Sequence, residues 1–157
     1  MNYDVQGRVT SVVNALSQAA SIGYDAKSRP VSVTTRNGQA INFTYDNLDR
    51  RTTLTAPEGS IGMTYDPAGR MLTANSYNGS ALAMSYDAAD RVTQVIQTLP
   101  NGHPVTLGYA FDANGNRIGM TAPWGSCSYT YDSLDRLKSI TNPQGQTVTL
   151  SYDALGR

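Results

Sequence analysis

Cys127 and His103 are each the only residue of their type in the 157-residue chain. A thiol beside an imidazole is the pairing that nucleophilic catalysis uses. No third group that would orient the imidazole can be identified. Cys127 stands at the place in its segment that Ile61, Leu82 and Val148 hold in theirs, which predicts a buried structural thiol. His103 follows a Pro-Asn-Gly turn, where a solvent-facing residue is expected. Acids occur in pairs three apart, Asp46/Asp49, Asp87/Asp90 and Asp132/Asp135, and paired carboxylates are the equipment of a glycosidase. Three equivalent copies speak against that chemistry, because an active site is normally singular. Asp112-Ala113-Asn114-Gly115-Asn116 begins like a calcium loop, but Arg117 stands where that loop needs glycine and Pro123 where it needs a distal glutamate. No catalytic residue, metal site or cofactor is expected. Trp124, at the tip of Pro123-Trp124-Gly125, is the one side chain with a possible ligand contact: it can stack on a sugar or a partner, or fold back over the protein.

What positions these residues is a repeat. The string Tyr-Asp-x-x-Gly-Arg, or a close variant, occurs eight times: Tyr3-Asp4-Val5-Gln6-Gly7-Arg8, Tyr24-Asp25-Ala26-Lys27-Ser28-Arg29, Tyr45-Asp46-Asn47-Leu48-Asp49-Arg50, Tyr65-Asp66-Pro67-Ala68-Gly69-Arg70, Tyr86-Asp87-Ala88-Ala89-Asp90-Arg91, Phe111-Asp112-Ala113-Asn114-Gly115-Asn116-Arg117, Tyr131-Asp132-Ser133-Leu134-Asp135-Arg136 and Tyr152-Asp153-Ala154-Leu155-Gly156-Arg157. The period is close to 21 residues, and the sixth copy reads as a turn with one residue inserted before its arginine. Eight of the ten arginines and eleven of the twelve acids fall inside these strings, so the charge belongs to the motif. With twelve basic and twelve acidic residues the formal charge is zero, and no basic patch is available for nucleic acid or an anionic membrane. No apolar run approaches the roughly 20 residues of a membrane-spanning helix, and no leader segment of the secretory type is expected. One cysteine excludes an intramolecular disulfide.

The composition points to strands. Ten tyrosines, fourteen glycines and seven prolines stand against one glutamate and two lysines, whereas helical surfaces are usually rich in Glu and Lys. In the motif the aspartate can accept a backbone N–H two residues on, and Gly7, Gly69, Gly156, Asp49, Asp90 and Asp135 sit where a left-handed backbone is needed; Ser28 fits least well. A second turn falls midway through each period: Asn37-Gly38, Pro57-Glu58-Gly59, Asn78-Gly79, Pro100-Asn101-Gly102, Pro123-Trp124-Gly125 and Pro143-Gln144-Gly145. The first period, Val9 to Gly23, lacks it. Strands entering Tyr-Asp alternate, as in Ile41/Phe43/Tyr45 and Ile61/Met63/Tyr65, predicting one buried and one wetter face. Val9 with Val12, and Val92 with Val95, break that parity and leave a bulge or two covered faces as the options. About fourteen short antiparallel strands are predicted, forming a single all-β hairpin-repeat array over residues 1–157. Each repeat leans on its neighbours, and each arginine is placed to pair with the aspartate of the next turn. A propeller is the alternative, though seven periods divide badly into four-stranded blades.

At these residues the chain resembles the YD-repeat, or Rhs-repeat, family, over essentially its whole length. The family includes bacterial Rhs and wall-associated proteins, toxin-encapsulating components of Tc complexes and animal teneurins. The resemblance implies a β-ribbon that spirals into a hollow shell or barrel, an exported protein at the cell surface or outside it, and in the toxin-bearing members an enclosed polypeptide released after self-cleavage. Those members close the shell with an Asp-Pro-x-Gly-Leu segment. Here only Asp66-Pro67-Ala68-Gly69-Arg70 is found, so no autoproteolytic or toxin segment is expected. Three roles follow as expectations: a non-catalytic piece of shell or scaffold enclosing or displaying a polypeptide; an extracellular glycan- or receptor-binding module acting through Trp124; and self-assembly with other copies of the chain through open strand edges into a fibre or ring.

Overall fold

The computed structural model describes residues 1–153 and 155–157; Ala154, inside the last motif string, lies outside the described residues. The chain is all-β, with fifteen strands and no helix among the described residues. It divides into two units, residues 1–80 and 81–157. The first holds β1 (Asn2–Tyr3), β2 (Val9–Val13), β3 (Ala19–Tyr24), β4 (Pro30–Thr34), β5 (Ala40–Tyr45), β6 (Arg51–Ala56), β7 (Gly59–Tyr65) and β8 (Met71–Ser76). The second holds β9 (Ala81–Tyr86), β10 (Val92–Thr98), β11 (Pro104–Phe111), β12 (Arg117–Ala122), β13 (Gly125–Tyr131), β14 (Leu137–Thr141) and β15 (Thr147–Thr149). Within each unit every strand pairs antiparallel with the next. Each unit is an up-and-down meander built from hairpins.

Period-two alternation sorts the side chains. Phe43 faces Leu54, Leu54 faces Ile61, and Met63 faces Ala74 on one side of the first unit; in the second, Met84, Val95 and Leu107 run together, as do Tyr109, Met120 and Cys127. The opposite side carries hydroxyls that hydrogen-bond across the strands, Thr55 to Ser60 at 2.9 Å, Thr64 to Thr73 at 2.7 Å and Thr130 to Ser139 at 2.7 Å. The parity break is a bulge: Tyr3 pairs with Val9 while Asn2 pairs with Ser11, and Tyr86 pairs with Val92 while Ser85 pairs with Gln94. The same shift follows five other motif turns.

Two sequence expectations need correction. The apolar face is not buried. Among the described residues no hydrophobic side chain is buried, and Asp66 alone reaches that class, at 9% exposure. Each unit is therefore one layer thick, and the apolar side chains shield each other only laterally. Cys127 is half-buried on that face rather than enclosed. The first period also has its midway turn, written without Asn-Gly. Asn14 N–H donates to the Gln18 carbonyl, the Asn14 Oδ1 accepts from Leu16 and Gln18 N–H, and Ser17 takes φ 60°.

The remaining midway turns come in two lengths. Those at Asn37-Gly38, Asn78-Gly79, Pro100-Asn101-Gly102 and Pro143-Gln144-Gly145 close like the motif turns, with glycine left-handed and the preceding i–i+4 backbone bond in place. Those at Pro57-Glu58 and Pro123-Trp124 are two-residue loops, since Ala56 pairs with Gly59 and Ala122 with Gly125.

Candidate functional site: the Tyr-Asp-Arg turns

The motif turn is a closed ring of hydrogen bonds around one carboxylate. In the third copy Asp46 N–H donates to the Arg50 carbonyl at 2.9 Å and Asp49 N–H to the Asp46 carbonyl at 3.1 Å. Asp46 Oδ1 accepts from Leu48 N–H at 2.9 Å and Arg50 N–H at 3.0 Å, and Oδ2 accepts from Arg50 Nε at 2.7 Å. Asp4, Asp25, Asp66, Asp87, Asp132 and Asp153 accept from their own arginine in the same way. The fourth motif residue pays for the ring with a left-handed backbone: Ser28, Asp49, Asp90 and Asp135 have φ of 64°, 63°, 62° and 58°. Each second acid of the former dyads is thus the left-handed residue of a turn, and each first acid is its hydrogen-bond acceptor.

Hydrogen bonds set the charge state. At Asp4, Asp25, Asp87, Asp132 and Asp153 the backbone N–H four residues on is the main influence holding the carboxyl below its ordinary range. Partial burial works against it, and the arginine side chain works with it. At Asp46, Asp66 and Asp112 partial burial is the larger single influence and pushes upward, yet the combined hydrogen bonds still hold the group low. Asp49 is lowered chiefly by its hydrogen bond from Lys27. These carboxylates are ionised at neutral pH and, apart from Asp49, which reaches Lys27 and Arg29 of the preceding turn, are turned inward on their own turns, which leaves them poorly disposed for general acid–base work.

The arginine joins one turn to the next. Having paired with its own aspartate, Arg8 lies over the Tyr24 ring at 4.5 Å, Arg29 over Tyr45 at 4.5 Å, Arg50 over Tyr65 at 4.8 Å, Arg91 over Phe111 at 4.7 Å and Arg136 over Tyr152 at 4.4 Å. The Nη1 groups of Arg8, Arg29, Arg50 and Arg91 donate to the backbone carbonyl of the next aspartate, at 2.8 Å from Arg50 to Asp66. Tyrosine hydroxyls anchor backward, Tyr45 to the Pro30 carbonyl at 2.7 Å and Tyr65 to Arg51 at 2.8 Å. The expected pairing of each arginine with the next aspartate side chain is therefore replaced by pairing within the turn, and the forward link runs through ring and carbonyl. Arg29 adds a carboxylate of the next turn, Asp49, which also holds Lys27.

The sixth copy departs from the expected frame. Asp112 N–H donates to the Asn116 carbonyl, Asp112 Oδ1 accepts from Asn116 N–H at 2.8 Å, and Gly115 is the left-handed residue. The turn has the standard length, with Asn116 at the arginine position. Arg117 is not the motif arginine: it opens β12 opposite Phe111, as Arg51 opens β6 opposite Tyr45. Arg117 stacks on Tyr109 at 6.0 Å and Tyr129 at 4.9 Å, as Arg51 does on Phe43 at 4.5 Å. The short acidic stretch that resembled a calcium loop is this turn.

The remaining candidates lie apart from one another. His103 closes the Leu99 turn through its carbonyl and is exposed, while Cys127 faces Met120 within β13. Trp124 is 65% exposed at the second position of its two-residue loop, so the ring stands out rather than folding back. A groove of about 560 Å³ in the second unit is lined by Val92, Val95, Tyr109, Phe111, Arg117 and Tyr131; no sequence signal marked it, because its lining comes from four strands of one face.

Hairpins held by a repeated Asp–Arg ring and linked by aromatic rings define an array of β-hairpin repeats. The RHS repeat model matches residues 3–40, 24–61, 65–102, 86–126 and 128–157, and the chain belongs to that family. No curated protein matches it. Among solved structures it is similar to the crystal structure of TcdB2-TccC3-Cdc42, with TM-score 0.71 and 20% identity over 90% of this chain and 9% of that one. TcdB2-TccC3 gives TM-score 0.70 at 20% identity, again with 90% and 9% covered. A Photorhabdus luminescens Tc holotoxin pore structure gives 0.69 at 20% identity, with 88% and 8% covered. At this identity the likeness is one of fold, and the chain spans less than a tenth of those chains.

Proposed function

We propose that the chain is a non-catalytic stretch of wall in a larger exported protein, at the cell surface or outside it, which encloses or displays a polypeptide such as a toxin. One observation carries this reading: a single-layer sheet whose apolar side chains are nowhere buried among the described residues. Such a face leaves apolar area that an extended or unfolded chain can cover. Two further facts support it. The motif carboxylates are all engaged in turns, and the fold is that of chains in Tc toxin complexes. The test is oxidative footprinting of the chain with reduced, carboxymethylated lactalbumin, a permanently unfolded probe. Met63 on the apolar face of the first unit, and Met84 and Met120 on that of the second, will be protected severalfold on adding the probe, while Met1, 75% exposed, will not. Unchanged oxidation of all three would remove this reading.

The exposure of Trp124 supports a second, compatible reading as a glycan contact. On a glycan array the native chain will give a signal that Trp124→Ala loses; silence from the native chain eliminates it.

A further inference from the structure

We infer that the groove lined by Val92, Val95, Tyr109, Phe111, Arg117 and Tyr131 takes an acidic side chain of a bound polypeptide, flanked by apolar residues, with Arg117 as its anchor. The inference rests on the apolar face being a docking surface and adds which chemistry docks at this place.

Arg117 is the exception that points to it. A motif arginine such as Arg136 is neutralised by the aspartate of its own turn, at 2.7 Å from Nε to Asp132 Oδ2. Arg117 follows the sixth turn rather than closing it, and Asp112 of that turn is occupied by Asn116 at both carboxylate oxygens. Among the described residues Arg117 forms no salt bridge and its guanidinium donates no hydrogen bond; it lies over the rings of Tyr129 at 4.9 Å and Tyr109 at 6.0 Å. Stacking engages the flat face of a guanidinium. The N–H groups point outward in its plane and stay available to a carboxylate, which they grip bidentately. The side chain is exposed, so an incoming group can reach it.

The surroundings add a donor and apolar area but no competing acid. None of the lining residues is an acid. The Tyr131 hydroxyl donates to the Arg117 carbonyl at 2.9 Å, whereas the Tyr109 hydroxyl has no hydrogen-bond partner among the described residues. Arg91, over the Phe111 ring at 4.7 Å, is paired with Asp87, so its charge is already balanced. Val92, Val95 and Phe111 supply the apolar share. At about 560 Å³ the groove falls within the range of clefts that hold small ligands. Its lining crosses β10 to β13. Three strand spacings come to about 14 Å, the reach of about four residues of extended chain. An open groove on a single layer suits a peptide, whose backbone groups keep their water while its side chains dock. It suits a free fatty acid poorly, since one wall leaves much of an alkyl chain wet.

The experiment titrates the full chain with acetyl-Leu-Glu-Leu-Leu-amide, following the Tyr109 and Tyr131 rings by NMR. Saturable shifts are expected. The same peptide with glutamine in place of glutamate will bind about tenfold more weakly, and acetyl-Gly-Glu-Gly-Gly-amide, which keeps the charge without the apolar flanks, will give no response. Arg117→Gln will remove the preference for glutamate over glutamine, while Arg51→Gln, at the corresponding place in β6, will keep it. Decanoate at the concentration of the peptide will not displace it. Absence of saturable shifts, equal binding of the glutamine peptide, a full response to the glycine peptide, a preference that survives Arg117→Gln or is lost in Arg51→Gln, or displacement by decanoate would overturn the assignment. Should any of these occur while lactalbumin still protects Met63 in the first unit, the wall reading stands and this inference alone falls.

Discussion

Lowering the pH from about 5 to about 2 will unfold the protein cooperatively within each unit, as read by loss of the β-sheet circular dichroism signal and by a falling thermal midpoint. Nine aspartates, Asp4, Asp25, Asp46, Asp49, Asp66, Asp87, Asp112, Asp132 and Asp153, have carboxyls held below the ordinary value of 3.8 in the folded chain. The unfolded chain binds protons at these groups first as pH falls. Each therefore contributes stability that is complete above the unfolded value and is lost as pH drops through the lowered folded value. One such group in an exposed turn would matter little. Here the same ring is repeated along each unit, and among the described residues there is no buried apolar core to hold the strands once the turns loosen. Retention of the full signal and an unchanged melting temperature at about pH 2 would refute this account of what holds the fold.

Gly125→Ala will lower the melting temperature by about 5 °C or more, from a cost on the order of 3 kcal/mol. Gly125 has φ 127°, where side chains are strained, and a Cβ there would lie 2.4 Å from Pro143 Cβ and 3.1 Å from its Cγ. The obstacle is a ring fixed to its own backbone, which cannot swing aside. Gly62→Ala is the control: it has no positive φ and nothing within 4 Å of the added carbon, and its melting temperature will stay close to that of the native chain. Adding Pro143→Gly to Gly125→Ala will recover the steric part of the loss and leave the conformational part, a separation that a double-mutant cycle measures. A native-like melt for Gly125→Ala would show that the loop does not need the backbone seen here.

The fold was legible because one short string carries its own geometry. Tyr-Asp-x-x-Gly-Arg names an acceptor, a left-handed position and a cation in fixed order, and seven of the eight copies form the ring that this order predicts. Misreadings arose where letters stood in for geometry. The Asn14 turn has neither proline nor glycine, yet an asparagine acceptor and a left-handed Ser17 close it the same way. In the sixth copy Arg117 completes the familiar string and so implies an inserted residue; backbone pairing, which follows turn length, assigns Arg117 to the next strand. The direction in which arginine acts was also out of reach, since its own aspartate and the next one are equally plausible partners from spacing. Alternation predicted which face is apolar but carries no information on whether anything covers it. Half-buried Ile41, Phe43 and Tyr45 show that strand neighbours alone supply the shielding. The groove lined by Val92, Val95, Tyr109, Phe111, Arg117 and Tyr131 draws on four strands, so no single stretch of sequence records it.

The forward-reaching arginine has a kinetic consequence. Its links join residues only 16 to 21 positions apart, as from Arg50 to Asp66 or Arg91 to Asp112, and topologies rich in such near-neighbour contacts fold quickly. During synthesis a turn can fasten as soon as its immediate successor has emerged, so order can advance from the N-terminus in steps of one period without waiting for a distant partner.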